Sequence, residues 1–212
     1  MKRYFYFILL LTLTSTLSSA STDPELRDTV YLKVHFLYGS KPLKAYKDTE
    51  PKWFGGILGG HVGIEGDSNQ ILDFGPREKF HVFAQKGKRN SYFGLKSHES
   101  FYSILGAHPD SVKMAVVYIP ITRVQKARFD SISRIYTNDS PYDYAFFGMR
   151  CGAASYDILS QLGILPDYGY TQTYTRIFYP KKLRKRLFTL AVAKNWKVVK
   201  YEGTSRRKWE KD

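Results

Sequence analysis

Residues 59–74 read GGHVGIEGDSNQILDF. Two short apolar runs, His61 to Glu65 and Ile71 to Phe74, flank the turn-forming Gly66-Asp67-Ser68-Asn69, which predicts a β-hairpin. With the turn centred on Asp67, His61 falls opposite Asp73, with Cβ atoms about 5 Å apart on one face. A slip of one residue would put the two on opposite faces. A carboxylate beside an imidazole fixes its tautomer and stabilises the imidazolium, as the base partner of a nucleophile requires. Glycines 59, 60 and 63 leave room for another group to approach His61.

Working outward, Thr29 to Leu37 and Val112 to Ile121 read as strands, and Trp196 to Tyr201 as a closing strand. Thr122 to Tyr136 reads as a helix, with Thr122 and Gln125 at capping-box spacing. A second helix runs from Cys151 to Leu162, stopped by Gly163 with Pro166 beyond. A third starts near Pro180, with Leu183, Leu187, Leu190 and Ala191 on one face and Lys181, Lys182, Arg184, Lys185 and Arg186 on the other. Residues 76–110 show weak periodicity and read as long loops. The predicted fold class is α+β: an antiparallel sheet of roughly five strands packed against the Cys151 helix.

Cys151 is the single cysteine of the chain, so no internal disulfide can form and no thiolate metal cage can be built. The count leaves three roles open: a buried inert thiol, a bridge between two chains, or chemistry. Position suits chemistry and a buried structural thiol equally, and the pairing of His61 with Asp73 tips the balance towards chemistry. The helix start carries a partial positive charge and Arg150 adds a full one, and both favour the nucleophilic thiolate. The free N–H groups of the first turn suit a developing oxyanion. Among the other histidines, His35, His81, His98 and His108 show no close paired spacing. His81, His98 and Glu65 are weaker candidates for lining a cleft. Tyr142, Asp143 and Tyr144 approach the Cys151 helix in sequence, as a wall of the site or as packing. Neither a phosphate-binding glycine loop nor a serine nucleophile elbow is found, and the sequence calls for no cofactor or metal.

A His-Val-Gly-Ile strand, a polar residue one hairpin later and a distant Cys opening an amphipathic helix resemble the circularly permuted NlpC/P60 group. That group includes lecithin:retinol acyltransferase-like and YiiX-like proteins. The likeness covers roughly residues 30–165, in the permuted order of His61 before Cys151. It implies a papain-like fold with Cys151 as nucleophile, His61 as base and Asp73 as third polar residue. Two departures stand out: Arg150 where many relatives have Asn, and the small Gly152-Ala153-Ala154-Ser155 after the Cys. The implied activity is amide hydrolysis of a peptide or acyl-amide through a thioester. Ester cleavage or acyl transfer by the same residues is the alternative within that class. A non-catalytic cationic binding domain is the competing class.

The N-terminus carries Lys2 and Arg3, an apolar run from Tyr4 to Leu13, and Ser18-Ser19-Ala20, the pattern of a secretory signal peptide. The run is shorter than the ~20 apolar residues of a membrane span. Residues 1–20 therefore read as signal, 21–204 as one domain and 205–212 as a charged, frayed tail. Taking 20 from 212 residues leaves 192, enough for a core without disulfide staples. Two of the 33 basic residues lie in the signal, so 31 set against 19 acidic residues leave +12. The expectation is an exported, periplasmic or extracellular protein attracted to an anionic lipid or cell-envelope component by peripheral contact, with no specific nucleic acid as partner. The oligomeric state is not written in the sequence.

Overall fold

The computed structural model describes residues 30–53, 56–66, 69–78, 81–85, 90–106 and 108–212. The expected signal at 1–20 lies outside the described residues, as do the two central turn residues of the hairpin. Within the described residues no helix is long and apolar enough to cross a membrane.

The architecture is α+β, built on a six-stranded sheet whose neighbours are all antiparallel. Its strands are β1 (Val30–Tyr38), β3 (Gly60–Glu65), β4 (Ile71–Gly75), β6 (Tyr92–Lys96), β7 (Met114–Ile121) and β9 (Val198–Tyr201), in the order β6-β4-β3-β1-β7-β9. The expected sheet had one strand fewer. Tyr92–Lys96 fell in the stretch read as loops, because only Phe93 of its five residues is buried and Gly94 interrupts it. Two small pairs complete the strands: β2 (Ser40–Pro42) with β10 (Arg207–Trp209), and β5 (His81–Phe83) with β8 (Ala145–Phe147).

Alternation along the strands gives the sheet two apolar faces. Leu32, Val34, Phe36, Val62, Ile64, Leu72 and Phe74 share one core with the helices α2 (Arg123–Asn138), α3 (Cys151–Gln161) and α5 (Pro180–Ala193). The expected capping box on Thr122 and Gln125 is formed at the head of α2. Buried Ala153, Ala154, Ile158 and Leu159 seat α3 in that core, and Gly163, at φ 71°, ends it in the left-handed conformation. Truncating a fully buried residue such as Ile158 to Ala costs about 2–5 kcal/mol in a core of this kind. On the opposite face, Leu37, Trp53, Ile71, Phe101 and Tyr102 form a second core under the short helix α1 (His98–Tyr102). The helix α4 (Gly169–Arg176) follows α3 and was not anticipated.

The stretch from Ser205 is not frayed. β10 pairs with β2, Arg207 donates to Ser40 Oγ (2.8 Å) and Glu50 Oε2 (3.1 Å), and Glu210 is buried against Arg184. The basic face of α5 is likewise partly consumed. Arg184 is fully buried over the Tyr38 ring, with Glu210 Oε2 2.7 Å from its Nη2. Arg186 stacks on Tyr168, while Lys182 and Lys185 remain exposed.

Candidate active site

The hairpin register differs from the expected one by two residues: Gly63, not His61, lies opposite Asp73. An even shift preserves the face. His61 and Asp73 are therefore diagonal neighbours, still within side-chain reach, and His61 Nε2 donates to Asp73 Oδ1. The second carboxylate oxygen, Oδ2, faces Lys96 Nζ at 3.6 Å, from the neighbouring strand β6. Both His61 and Asp73 are buried.

The paired register of β3 with β4 stops at Gly63 and Asp73, whereas β4 stays paired to β6 as far as Gly75. Gly60, His61, Gly75 and Cys151 all line one cavity, of about 520 Å³, beside this point. Cys151 is the first residue of α3, with Arg150 as its N-cap, and is buried with 3% exposure. Its side chain stands close enough to the His61 ring to act on its charge. Since Asp73 occupies Nε2, Nδ1 is the ring nitrogen left for the thiol. Burial opposes charge on His61, but the Asp73 carboxylate and Cys151 outweigh it and hold its pKa well above the ordinary 6.5. A proton received by the His61 ring is thus stabilised by its two neighbours.

The cavity walls are mainly apolar, with Leu58, Ile104, Leu105, Phe146 and Phe178 among them. Tyr144 stands inside, its hydroxyl hydrogen-bonded to the Cys151 backbone; burial, and then Cys151, push its pKa well up, so it is a neutral phenol. Arg150 stacks its guanidinium on Phe178, 3.8 Å from the ring centroid, with Phe146 and Tyr179 each at 5.4 Å. Its Nη2 is buried without a hydrogen-bond partner. Gly152 lets α3 approach the start of α5, where an added Cβ would lie 3.3 Å from Pro180.

The sequence-derived trio of Cys151, His61 and Asp73 therefore converges. Of the three neighbours named beside α3, Tyr144 lines the cavity. Tyr142 instead donates to Asp157 Oδ2 at 2.5 Å, and Asp143 anchors a loop through His81, Gln85 N and Asn90 N. The weaker cleft candidates lie elsewhere: His81 bonds Asp143, and Glu65 and His98 join His35 in a separate group. Tyr144 and Arg150 reach the cavity because the segment that precedes α3 lines it, an arrangement that no local sequence signal marks. No protein-family model matches this chain, and comparison with curated proteins and with solved structures finds no significant match.

Proposed function

We propose that this protein is a cysteine hydrolase of the permuted NlpC/P60, papain-like kind that cleaves an amide bond through a thioester. The observation that carries the reading is the convergence of a thiol at a helix start, an imidazole beside it and a carboxylate bonded to that imidazole, at the wall of a cavity. His61 takes the Cys151 proton, and Sγ bonds to the substrate carbonyl carbon. The carbonyl oxygen becomes an oxyanion facing the first-turn N–H groups of α3 and the Tyr144 hydroxyl. The C–N bond breaks as His61 returns its proton to the leaving amine. Water, deprotonated by His61, then attacks the thioester, releasing the acid and regenerating the thiol. Asp73 holds the ring orientation throughout.

Ester cleavage or acyl transfer by the same residues is the second reading, favoured by the apolar walls of the cavity. Export and peripheral attachment to an anionic lipid or envelope polymer complete the proposal, supported by the N-terminal pattern and the excess of basic residues. The decisive experiment is activity-based labelling with electrophiles carrying peptidyl or fatty-acyl groups. Labelling confined to Cys151 and lost in His61→Ala supports a hydrolase, and the preferred probe ranks amide against acyl chemistry. Failure of every probe, with a thiol that alkylates no faster than a free cysteine, would leave a cationic binding domain.

A further inference from the structure

β1 and β3 carry a second histidine–carboxylate grouping on the same sheet face as His61. His35 and Glu65 are buried, and His98 opens α1 with its side chain 40% exposed. His35 Nε2 and His98 Nε2 each lie 2.8 Å from one atom, Glu65 Oε2. The three potential ligand atoms fall within 4.8 Å of one another. We propose that His35, Glu65 and His98 form a binding site for a divalent transition-metal ion, with two imidazole nitrogens, one carboxylate oxygen and one exchangeable position.

The donor set and its supports argue for this. Two imidazoles and a carboxylate suit zinc, and three protein ligands with a fourth open position is a recurrent arrangement for it. Ligand atoms about 2.0–2.1 Å from a tetrahedral ion stand roughly 3.3 Å apart. The two 2.8 Å imidazole–carboxylate separations need to widen by about half an ångström; the half-exposed His98 can swing outward, and a small turn of the Glu65 carboxylate opens the His35 side. Binding requires the lone pair of His35 Nε2, so its proton must sit on Nδ1. The Tyr102 hydroxyl oxygen, 2.6 Å from Nδ1, can accept a hydrogen bond from that N–H as readily as the hydroxyl can donate one. Such a partner behind a ligating histidine is the usual support of a metal site. Of the three ligands His98 also lines a surface depression, with Tyr102, His108 and Asp110, and this is the side from which an ion can approach.

One feature works against affinity. Lys33 Nζ donates to Glu65 Oε1 at 2.6 Å, placing a positive charge beside the ion. Its side chain is 31% exposed and free to turn towards solvent. Lys33→Met should therefore tighten binding, whereas Tyr102→Phe should weaken it by about 10–100-fold.

The test is zinc titration by calorimetry on the full chain carrying Cys151→Ser, which removes the thiol as a rival ligand. One equivalent should bind with a Kd of about 1 µM or tighter. His98→Ala should weaken it at least about 100-fold while keeping the circular dichroism spectrum, and His108→Ala should leave it within about twofold. Cobalt should give the visible bands of a four-coordinate N/O site without sulfur charge transfer. Zinc should raise the melting temperature of the parent and not of His98→Ala. No binding, or binding indifferent to His98→Ala, would overturn the proposal and leave a polar network that needs no ion.

Discussion

Two histidine–carboxylate groupings lie on one face of the sheet, the first on β3 and β4 and the second on β1, β3 and α1, and Phe101 separates them. Its ring lies 5.5 Å from that of His61 and 6.1 Å from that of His35. The surroundings set their chemistry apart. His61 has one carboxylate on Nε2 and a thiol left for Nδ1, and its pKa is raised. His35 shares its carboxylate with His98 and Lys33, and burial, only partly offset by Glu65, lowers its pKa. Burial is the largest influence on Glu65 too and pushes its pKa up, but His35 and Lys33 prevail and bring it down to about 2. One group is arranged to hold a proton on imidazole, the other to present a neutral His35 nitrogen beside an ionised carboxylate. What distinguishes them is what stands on the second nitrogen and how many cations share the carboxylate.

The sharpest way to break this contrast is to remove one histidine from each group. His61→Ala should slow iodoacetamide alkylation of Cys151 near neutral pH by about 100-fold, the low end of a general base's contribution. His98→Ala should leave that rate within twofold. Similar losses in both variants would mean that the groupings act as one.

A stability measurement probes the divider between them. Gly63 lies between His61 and Glu65 on β3, and a Cβ there would lie 2.5 Å from Ile71 Cγ2 and 2.8 Å from Phe101 Cε2. Gly63→Ala should therefore destabilise the fold by about 1–3 kcal/mol in urea unfolding, the range for overpacking. It should also disturb both histidines, seen as shifts of their ring resonances.

Asp73→Asn sharpens the first grouping alone. Removing the carboxylate that raises His61 should lower its titration midpoint, with alkylation about tenfold slower. The sign for stability follows from linkage. A raised folded pKa contributes stability that is fully present below about 6.5 and is lost as pH rises through the folded value. The gap in urea midpoint between the wild type and Asp73→Asn should thus narrow as the solution becomes more alkaline. A constant gap would remove the charge from the argument.

The smallest effect is expected of His108→Ala. The side chain is 76% exposed, so stability should change by less than about 0.5 kcal/mol and alkylation not at all.

The site that was legible in the sequence depended on short-range signals. A hairpin brings residues 61 and 73 together by its own turn, and a helix start marks 151. The register error of two residues left both side chains on the same face, so the pairing survived it. The second grouping had no such signal. His35, Glu65 and His98 are 30 and 33 residues apart, and they meet only through the β1–β3 register and the docking of a five-residue helix. The strand at Tyr92–Lys96 was missed because an edge strand with one buried residue shows little alternation. The C-terminal stretch was misread for a different reason. Charge predicts exposure unless each buried ion has a counter-ion, and here the partners of Arg207 and Glu210 are Glu50 and Arg184, 157 and 26 residues away.

That last pairing also bears on the order in which the chain can close. Arg184 is fully buried, and its counter-charge Glu210 follows it by 26 residues. Asp212, which accepts from the Tyr38 hydroxyl, comes later still. Burying the guanidinium before Glu210 has emerged would leave a lone charge inside, at a cost of several kcal/mol. During synthesis from the N-terminus, the packing of α5 against the end of the central strand β1 must therefore wait for residues downstream of both. Until those residues arrive, α5 has nothing to neutralise the charge it must bury, so the last residues of the fold act as its latch.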